Sequence, residues 1–383
     1  MIYKLRTYLL IFISFFLYLF LSKQKPGFNK KRILIIPQFT RMGDLICATP
    51  VFKQIKKKYP KSFLTVTVAN FSGTEGIIKN NQYVDEIIIL EDDEYLDFFG
   101  IFRFFKKIKK RKFNWSINLE SSAMGTLISV FGLIPNRIKI IKYDRPFAEV
   151  LNDWMNTHKT FYKGNERIPN LYLRTLNVLN IPMPDKIRKE VFTTSDTENK
   201  SADFFRKKNI LDKDFVIGVS VTAGNKVKEW GTENFLELLS RILEKHNVKI
   251  VFIGTQKDKE KISIVNQSIE NKGIVATDFS IEELPSLMKR FSMFISADTG
   301  PIHIAEALSV PLIDIIGPID PDEQAPVNEI STVVKSPESF PPTVFALRRQ
   351  GDPKESKKAM ESISVDMVFK AFDRLFLKIK ESR

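Results

Sequence analysis

Two α/β domains, each built on a doubly wound parallel sheet, are predicted by three observations. The 383-residue chain exceeds the usual size of one hydrophobic core, and its 43% hydrophobic content is that of a folded protein. Short β-rich segments alternate with longer amphipathic ones, the pattern of a parallel sheet with helices on both faces. This alternation loosens between about 160 and 215, in stretches such as NIPMPDK, and then restarts, which predicts an inter-domain connection.

The first predicted domain comprises residues 30–185. Its strands are ILIIP at 33–37, FLTVTVA at 63–69, EIIIL at 86–90 and FNWSINLE at 113–120. The loop QFTRMGD follows the first strand and leads into a helix ending near Tyr59. Thr49 and Pro50 suit the N-cap and first turn of that helix.

The second predicted domain comprises residues 205–355. FVIGVSV at 215–221 is its first strand, VKIVFIG at 248–254 follows, and FSMFISA and VPLIDIIG begin further units. TENFLELLSRILEKH carries its apolar residues on one helical face, and Thr232 is its predicted cap. Residues 358–383 are predicted to form a basic amphipathic helix.

The N-terminal segment, residues 1–25, is predicted to be a membrane anchor or an interfacial helix. Between Arg6 and Lys23 lie 16 uncharged residues, which form a helix of about 24 Å, slightly short of a full span. More basic residues follow this run than precede it, so residues 5–22 are expected to hold the protein at the cytoplasmic face of the inner membrane. A cleaved leader is the alternative.

The composition of the chain limits the chemical classes of partner that it is expected to bind. Lys and Arg number 59 against 45 Asp and Glu, a formal charge of +14, which favours anionic lipids, phosphorylated glycolipids, nucleotides or nucleic acid. No helix-turn-helix, RNP or zinc-knuckle pattern is present, so no nucleic-acid partner is expected. The Lys-rich stretch FKKIKKRK at 105–112 is interpreted as a solvated helix face.

Neither a metal nor a cofactor is expected. Three histidines and one cysteine offer no metal-ligand spacing, and the acidic stretch EDDE at 91–94 is interpreted as a solvated loop. Cys47 lies in an apolar segment without a histidine partner, so it is interpreted as a buried structural thiol. The histidines are His158, His246 and His303.

Asp44 belongs to the first of three loops that follow predicted strands, where open α/β sheets bind ligands. In Arg41-Met42-Gly43-Asp44, glycine permits close backbone approach, and the Asp44 carboxylate can accept a proton from an attacking hydroxyl. The alternative is that Asp44 only caps a helix N-terminus.

Lys228 lies in the second loop, VTAGNKVKEWG at 221–231. Small residues before a helix start make a natural phosphate site, with Lys228 as the point charge. The alternative is an exposed lysine beside a core tryptophan. The loop has no Walker spacing, and the chain has no G-x-G-x-x-G, which argues against a dehydrogenase.

Asp298, Thr299, Gly300 and His303 belong to the third loop, ISADTGPIHIAEALSVPLIDIIGP at 295–318. A strand ends at Ala297, and the turn leads into a helix N-terminus, whose amides can hold phosphate. Asp298 and His303 can hydrogen-bond sugar or phosphate oxygens. Alternatively, Thr299 is only a cap and His303 a partly buried helix residue.

In this order and at these separations, the loops resemble glycosyltransferase family 9, whose best known members are the lipopolysaccharide heptosyltransferases. The matching segments are MGDLICATPVFKQIKKKYP, KEWGTENFLELL and DTGPIHIAEALSVPLIDIIGPIDP, and the resemblance covers about residues 32 to 375. It implies the GT-B architecture, two Rossmann-like domains facing across a cleft. It also implies a metal-independent, inverting transfer of heptose from ADP-heptose to a lipopolysaccharide-type glycolipid acceptor.

Roles for single residues follow from the resemblance. Asp44 is implied to be the general base, and Lys228 to bind the donor diphosphate. The D-T-G-x-x-H residues Asp298, Thr299, Gly300 and His303 are implied to bind the donor's phosphates and sugar, and Thr222 to complete the phosphate cradle. The chain departs from the family by having Glu229 and Gly231 in place of the common K-R-W-P or K-H-W-P, and Gln256 where some members have a ribose-binding glutamate.

Two other functions compete with the transferase. One is a membrane-tethered scaffold that binds a nucleotide sugar without turnover, since fold does not fix function. The other is a nucleotide-sugar epimerase of similar fold, which needs no lipid acceptor.

Overall fold

The computed structural model describes residues 2–21, 31–39, 41–70, 73–97, 99–142, 150, 152–337, 339–347 and 350–382. Contacts within the chain divide it into two units, Met1–Lys189 (unit 1) and Glu190–Arg383 (unit 2). Each unit has its own sheet and its own apolar core, so each is described by itself.

Unit 1 is built on a six-stranded parallel sheet in the order β3-β2-β1-β4-β5-β6. The strands are β1 (Arg32–Ile36), β2 (Phe63–Ala69), β3 (Glu86–Leu90), β4 (Trp115–Asn118), β5 (Asn136–Ile141) and β6 (His158–Phe161). The helices are α1 (Ile2–Leu21), α2 (Met42–Lys58), α3 (Glu75–Ile78), α4 (Asp92–Leu96), α5 (Gly100–Lys110), α6 (Ala123–Phe131) and α7 (Ile168–Arg174), the last followed by a 3-10 turn at Thr175–Leu179.

Unit 2 repeats this design with the strand order β12-β11-β10-β7-β8-β9. Its strands are β7 (Val216–Ser220), β8 (Lys249–Ile253), β9 (Ile274–Ala276), β10 (Met293–Ala297), β11 (Leu312–Ile316) and β12 (Ser331–Lys335). Its helices are α8 (Ser195–Lys207), α9 (Thr232–Lys245), α10 (Lys259–Ser268), α11 (Leu284–Met288), α12 (Gly300–Ala307), α13 (Pro321–Gln324), α14 (Pro353–Glu361) and α15 (Val365–Ser382).

Both sheets have the doubly wound strand order 3-2-1-4-5-6, counted within each unit. The order reverses beside the first strand, between β1 and β4 in unit 1 and between β7 and β10 in unit 2. At such a reversal the loops leave the sheet in opposite directions and open a crevice at the carboxyl ends of the strands. The topology therefore favours ligand binding by the loops after these four strands.

The predicted strands are all present. Most are runs of buried residues, as a parallel sheet covered on both faces requires, whereas β3, at an edge of the unit 1 sheet, is only partly buried. Four further strands lacked this signal. β6, β9 and β12 are short or lie at sheet edges, where burial is incomplete. β5 contains the buried Lys139, whose ammonium lies 3.0 Å from the Asp153 carboxylate. That partner on another segment stabilises a charge inside a strand.

The predicted start of α2 at Thr49 and Pro50 is wrong. The helix begins at Met42, and both residues lie in its interior. Proline cannot donate a hydrogen bond to Ile46, four residues before it, but the Thr49 hydroxyl donates to that carbonyl at 2.7 Å. The side chain therefore supplies the bond that the proline backbone cannot, and Asp44 lies in the first turn of a longer helix.

The acidic stretch at 91–94 is also more ordered than the solvated loop expected for it. Glu91 caps α4 through a capping box with Glu94. Glu94 is buried, and its carboxylate pairs with Lys107 of α5 at 2.9 Å. The Lys-rich stretch behaves as predicted, since α5 buries its apolar face and exposes Lys106, Lys109 and Lys110.

The first and last described segments, α1 and α15, are helical. α1 packs against unit 1, where Leu10 and Ile11 join the apolar cluster that contains Phe104 and Leu127. The predicted C-terminal helix at 358–383 corresponds to α14 and α15, and α15 joins the core of unit 2 through residues such as Phe372. Of the helices in the described ranges, none combines the length and the apolar character that crossing a membrane requires.

Replacing Thr49 by valine is expected to lower the free energy of unfolding by about 1–3 kcal/mol, because the buried Ile46 carbonyl loses its donor. Urea denaturation measures this. Thr49→Ser keeps the hydroxyl and is the control. Equal losses in the two variants would show that the methyl packing, and not the hydrogen bond, supports the helix at Pro50.

Candidate functional site

The residues singled out in the sequence follow three of the four strands beside the two switch points. Asp44 comes after β1, Thr222 and Lys228 come after β7, and Asp298–His303 come after β10. The topology thus brings the polar residues of each unit to the place where doubly wound sheets bind ligands.

Asp44 occupies the third position of α2, not its N-cap, which is Arg41. The whole residue is 1% exposed, and its carboxylate lies 3.9 Å from the Arg41 guanidinium. A carboxylate in the first turn is stabilised by the positive end of the helix dipole. Asp44 is therefore a buried carboxylate whose negative charge is favoured by Arg41 and by the helix dipole, in a low-dielectric position where hydrogen bonds are strong.

Tyr172 of α7 borders the Asp44 position. Burial raises the pKa of Tyr172 well above its ordinary value, and the negative charge of Asp44 raises it further. The phenol is thus neutral throughout the physiological range. Cys47, one turn after Asp44 on α2, is buried as predicted. The Tyr172 phenol beside Asp44 therefore keeps its own proton and does not act as a base.

Glu120 is the residue that the sequence reasoning missed. It follows β4, on the other side of the unit 1 switch point from Asp44, and it is 8% exposed. Its carboxylate accepts hydrogen bonds from the Ser122 hydroxyl at 2.9 Å and from the Gly125 amide at 2.6 Å, at the start of α6. Part of the signal was available, because the FNWSINLE strand prediction placed Glu120 at a strand end, but the pairing of this strand with β1 appears only in the structure.

In unit 2 an ion pair joins the two loops at the switch point. The Lys228 ammonium donates to the Asp298 carboxylate at 2.9 Å and lies 3.5 Å from the Asp298 carbonyl oxygen. The Lys228 side chain is 17% exposed and that of Asp298 2%. The carboxylate therefore fixes the ammonium group of a partly exposed lysine side chain at the switch point of unit 2.

The helix α12 begins directly after this ion pair. Thr299 is its N-cap residue, although its side chain makes no capping bond and instead lies 3.3 Å from the Ser296 hydroxyl. Gly300 is the first helical residue, and His303 is buried with its Nδ1 4.0 Å from the Glu306 carboxylate. The positive end of the α12 dipole therefore lies beside Lys228, and both favour an anion there.

Thr222 connects the loop after β7 to the loop after β8. Burial disfavours the Asp258 anion, but hydrogen bonds from Thr255 and from the Thr222 side chain outweigh this and lower the Asp258 pKa. Gln256, in the same turn, donates to the Asp278 carboxylate at 2.6 Å. The Thr222 hydroxyl is thus engaged with Asp258, and the loop after β8 is fixed beside the Lys228 loop.

Trp230 anchors the Lys228 loop to the core. Its indole N–H donates to the Ile363 carbonyl at 2.8 Å, and its ring packs edge-on against Phe235 of α9. Glu229 pairs with Lys261 of α10 at 2.7 Å. Lys228 therefore extends from a short segment held on both sides. The alternative interpretation correctly placed the tryptophan in the core, but Lys228 is paired and largely shielded.

Gly231 explains one departure from the family pattern. It is the N-cap of α9, with φ +103° and ψ 143°, and the helix begins at Thr232, which was wrongly predicted to be the cap. Proline is fixed near φ −65°, so it cannot occupy this backbone conformation. The proline found here in many family members therefore requires a different loop path from the one in this chain.

The three histidines lie on three different elements or loops. His158 lies on β6, His246 lies next to Asp373, and His303 lies on α12. Within the described ranges, no group of three or more His, Cys, Asp or Glu side chains is arranged to hold a metal ion.

Two doubly wound domains in one chain, each with charged groups at its switch point, define a class of two-domain α/β proteins that bind ligands at the carboxyl ends of their strands. The family model "Glycosyltransferase family 9 (heptosyltransferase)" matches residues 101–349, more than half of the chain. The chain therefore belongs to glycosyltransferase family 9 and is a glycosyltransferase. Asp44 lies outside the matched range, whereas Lys228, Asp298 and His303 lie within it.

Individual relatives agree with this assignment. The chain is 22% identical over 310 residues to the lipopolysaccharide core heptosyltransferase OpsX of Haemophilus influenzae, covering 79% of this chain and 83% of the relative. A family 9 glycosyltransferase structure from Veillonella parvula superposes with a TM-score of 0.74 at 20% identity, covering 91% of this chain and 97% of that one. The structure of E. coli ADP-heptose lps heptosyltransferase II superposes with a TM-score of 0.71 at 16% identity, covering 91% of this chain and 99% of that one. These likenesses confirm the GT-B fold.

Replacing Gly231 by alanine is expected to lower the free energy of unfolding by about 1–3 kcal/mol, because its backbone conformation is almost restricted to glycine. Contacts of the added Cβ with surrounding residues do not contribute, since the nearest such atom is 3.6 Å away. Gly224→Ala is the matched control. Its φ is not positive, its Cβ meets nothing within 4 Å, and it should be neutral. Equal effects in a thermal melt would contradict the backbone explanation.

Proposed function

We propose that this glycosyltransferase transfers heptose from ADP-heptose to a lipopolysaccharide-type glycolipid acceptor, without a metal ion and with inversion of the anomeric centre. The observation that carries the proposal is the Lys228–Asp298 ion pair at the N-terminus of α12, because it places a fixed cation and a helix dipole where a diphosphate can bind.

The donor assignment rests on unit 2. An ammonium and the positive end of a helix dipole, together at a switch point, are suited to the diphosphate of a nucleotide sugar. The Asp298 carboxylate can accept hydrogen bonds from sugar hydroxyls, whereas it repels phosphate oxygens. It favours phosphate binding indirectly, by holding the Lys228 ammonium in place. ADP-heptose is preferred over other donors because it is named for the E. coli relative with the same fold.

The proposed reaction is a single displacement. The acceptor hydroxyl oxygen forms a bond to the anomeric carbon while its proton passes to the Asp44 carboxylate. The bond from that carbon to the diphosphate oxygen breaks on the opposite face, and the electron pair leaves with ADP, which inverts the centre. Lys228 and the α12 N-terminus stabilise the charge that develops on the leaving diphosphate. His303 and Thr299 complete the donor site.

The acceptor assignment rests on the family and on charge. Relatives such as OpsX are named for the lipopolysaccharide core, and the +14 charge of this chain favours a phosphorylated glycolipid. We place the reaction at the cytoplasmic face of the inner membrane, because lysines are concentrated directly after α1 in the sequence.

Replacing Asp44 by asparagine is expected to reduce the transfer rate by about 10²–10⁴-fold, the usual contribution of a general base. ADP affinity should remain unchanged, because Asp44 lies in unit 1 and the donor diphosphate is assigned to unit 2. The assay measures ADP release from ADP-heptose with a lipopolysaccharide acceptor that lacks heptose, and NMR gives the anomeric configuration of the product. Asp92→Asn, an exposed carboxylate at the start of α4, is the matched control.

Other outcomes identify the competing functions. Binding of ADP-heptose without ADP release would favour the scaffold, and conversion to an isomeric nucleotide sugar without acceptor would favour the epimerase. Faster transfer from UDP- or GDP-sugars would reject the donor assignment. Loss of activity in EDTA, restored by a divalent cation, would reject metal independence. Full activity of Asp44→Asn would exclude Asp44 as the base.

A further inference from the structure

Helix α1 is apolar around its whole circumference, yet it lies at the surface of unit 1. From Thr7 to Leu21 the helix contains no charged residue. Leu10, Ser14 and Leu21 are at most 3% exposed, so one face is buried against unit 1. A helix that is hydrophobic on all sides is normally buried on all sides. The opposite face therefore requires a second apolar environment.

The buried face is attached to unit 1 by specific polar contacts. Arg6 is 3% exposed, and its guanidinium donates to the Tyr95 carbonyl at 2.8 Å and to the Asp97 carbonyl at 3.2 Å. Arg137 lies 5.5 Å from the Tyr18 ring centroid; burial lowers its pKa to about 10, so it stays charged at neutral pH. These contacts hold α1 lengthwise on unit 1, and its buried face is not available to lipid.

The outer face of α1 is a continuous aromatic surface. Phe12 and Phe16 are 62% and 52% exposed, and their rings pack 5.3 Å apart. Trp154 extends the surface from another segment, since its ring lies 5.4 Å from Phe15 and 4.6 Å from Tyr18. We call this surface the aromatic face. Its exposed members are Tyr8, Leu9, Phe12, Phe15, Phe16, Leu19 and Trp154.

The positive charge of the chain is concentrated in the unit that carries this face. Unit 1 has 32 Lys and Arg against 15 Asp and Glu, whereas unit 2 has 27 against 30. The entire excess of +14 thus arises from unit 1. An apolar surface on a strongly cationic body attracts an anionic bilayer. A second copy would bring the same cationic unit against itself, which like-charge repulsion opposes.

We propose that the aromatic face lies in an anionic membrane surface, with α1 parallel to the bilayer plane and the side chains at the boundary between headgroups and acyl chains. Tyr and Trp prefer this boundary because their rings are apolar and their polar ends remain hydrated. Interfacial helices bind in this way through apolar burial combined with attraction to acidic lipids. The helix thus serves as a surface contact of unit 1 and not as an independent anchor.

Trp154 supplies a native probe for the test. Of the three tryptophans, Trp115 and Trp230 are 6% and 3% exposed, whereas Trp154 is 39% exposed within the aromatic face. The full-length protein is mixed with phosphatidylcholine vesicles that contain brominated acyl chains, with and without phosphatidylglycerol. The proposal predicts fluorescence quenching that is stronger with phosphatidylglycerol, weakens with salt, and is absent from Trp154→Phe.

Variants distinguish membrane binding by the aromatic face from nonspecific binding of other exposed apolar residues. Phe12→Asp/Phe16→Asp is expected to weaken vesicle binding at least about tenfold, because two exposed apolar anchors are replaced by charges. Leu211→Asp/Val327→Asp is the matched control in unit 2, where both residues are also exposed. It adds the same negative charge and should retain binding.

Three results would overturn the proposal. The first is no quenching with either vesicle, and the second is unchanged binding of the Phe12 and Phe16 variant. The third is a dimer, seen by light scattering without lipid, that the same variant dissociates while vesicles never quench Trp154; the aromatic face would then bind a second copy. The vesicles contain neither donor nor acceptor, so the outcome is independent of the proposed transfer reaction.

Discussion

The ion pair between Lys228 and Asp298 is the interaction on which the candidate donor site depends. It joins the loops after β7 and β10, the two strands at which the unit 2 sheet reverses its order. A lone lysine on a loop samples many rotamers, and ordering it on binding costs free energy. Here Asp298 orients the ammonium, and Trp230 fixes the loop through its bond to the Ile363 carbonyl. The cation is thus positioned before a ligand arrives.

Both units use the same topology for different chemistry. In unit 2 the switch point holds a cation and a helix N-terminus, which suit an anionic leaving group. In unit 1 it holds two buried carboxylates, Asp44 after β1 and Glu120 after β4. Glu120 is engaged by Ser122 and Gly125, and we assign it the role of fixing the start of α6. This division agrees with a base in one unit and a donor site in the other.

Much of the fold was predictable, because buried strands carry an unbroken apolar signal and the motif residues follow them. The errors have specific physical causes. Thr49 and Pro50 resemble a helix start in the sequence. In the structure the Thr49 hydroxyl donates to the Ile46 carbonyl, which the Pro50 nitrogen cannot do, and the helix continues through both residues. The N-cap of α9 is Gly231 and not Thr232, because Gly231 has a positive φ that the sequence does not reveal. Pairing of Lys228 with Asp298, 70 residues apart, depends on strand order. The two faces of α1 were indistinguishable because both are apolar.

The most direct test of this account is ADP binding, measured by calorimetry on the wild type, Lys228→Met, Asp298→Asn and the double variant. Lys228→Met should weaken binding at least about tenfold, since a charged hydrogen bond to phosphate is lost. In that background Asp298 is an uncompensated negative charge near the diphosphate, so Asp298→Asn should recover part of the lost affinity, but it should give no such gain when Lys228 is present. An identical effect of Asp298→Asn in both backgrounds, or unchanged binding in Lys228→Met, would contradict the donor site described above.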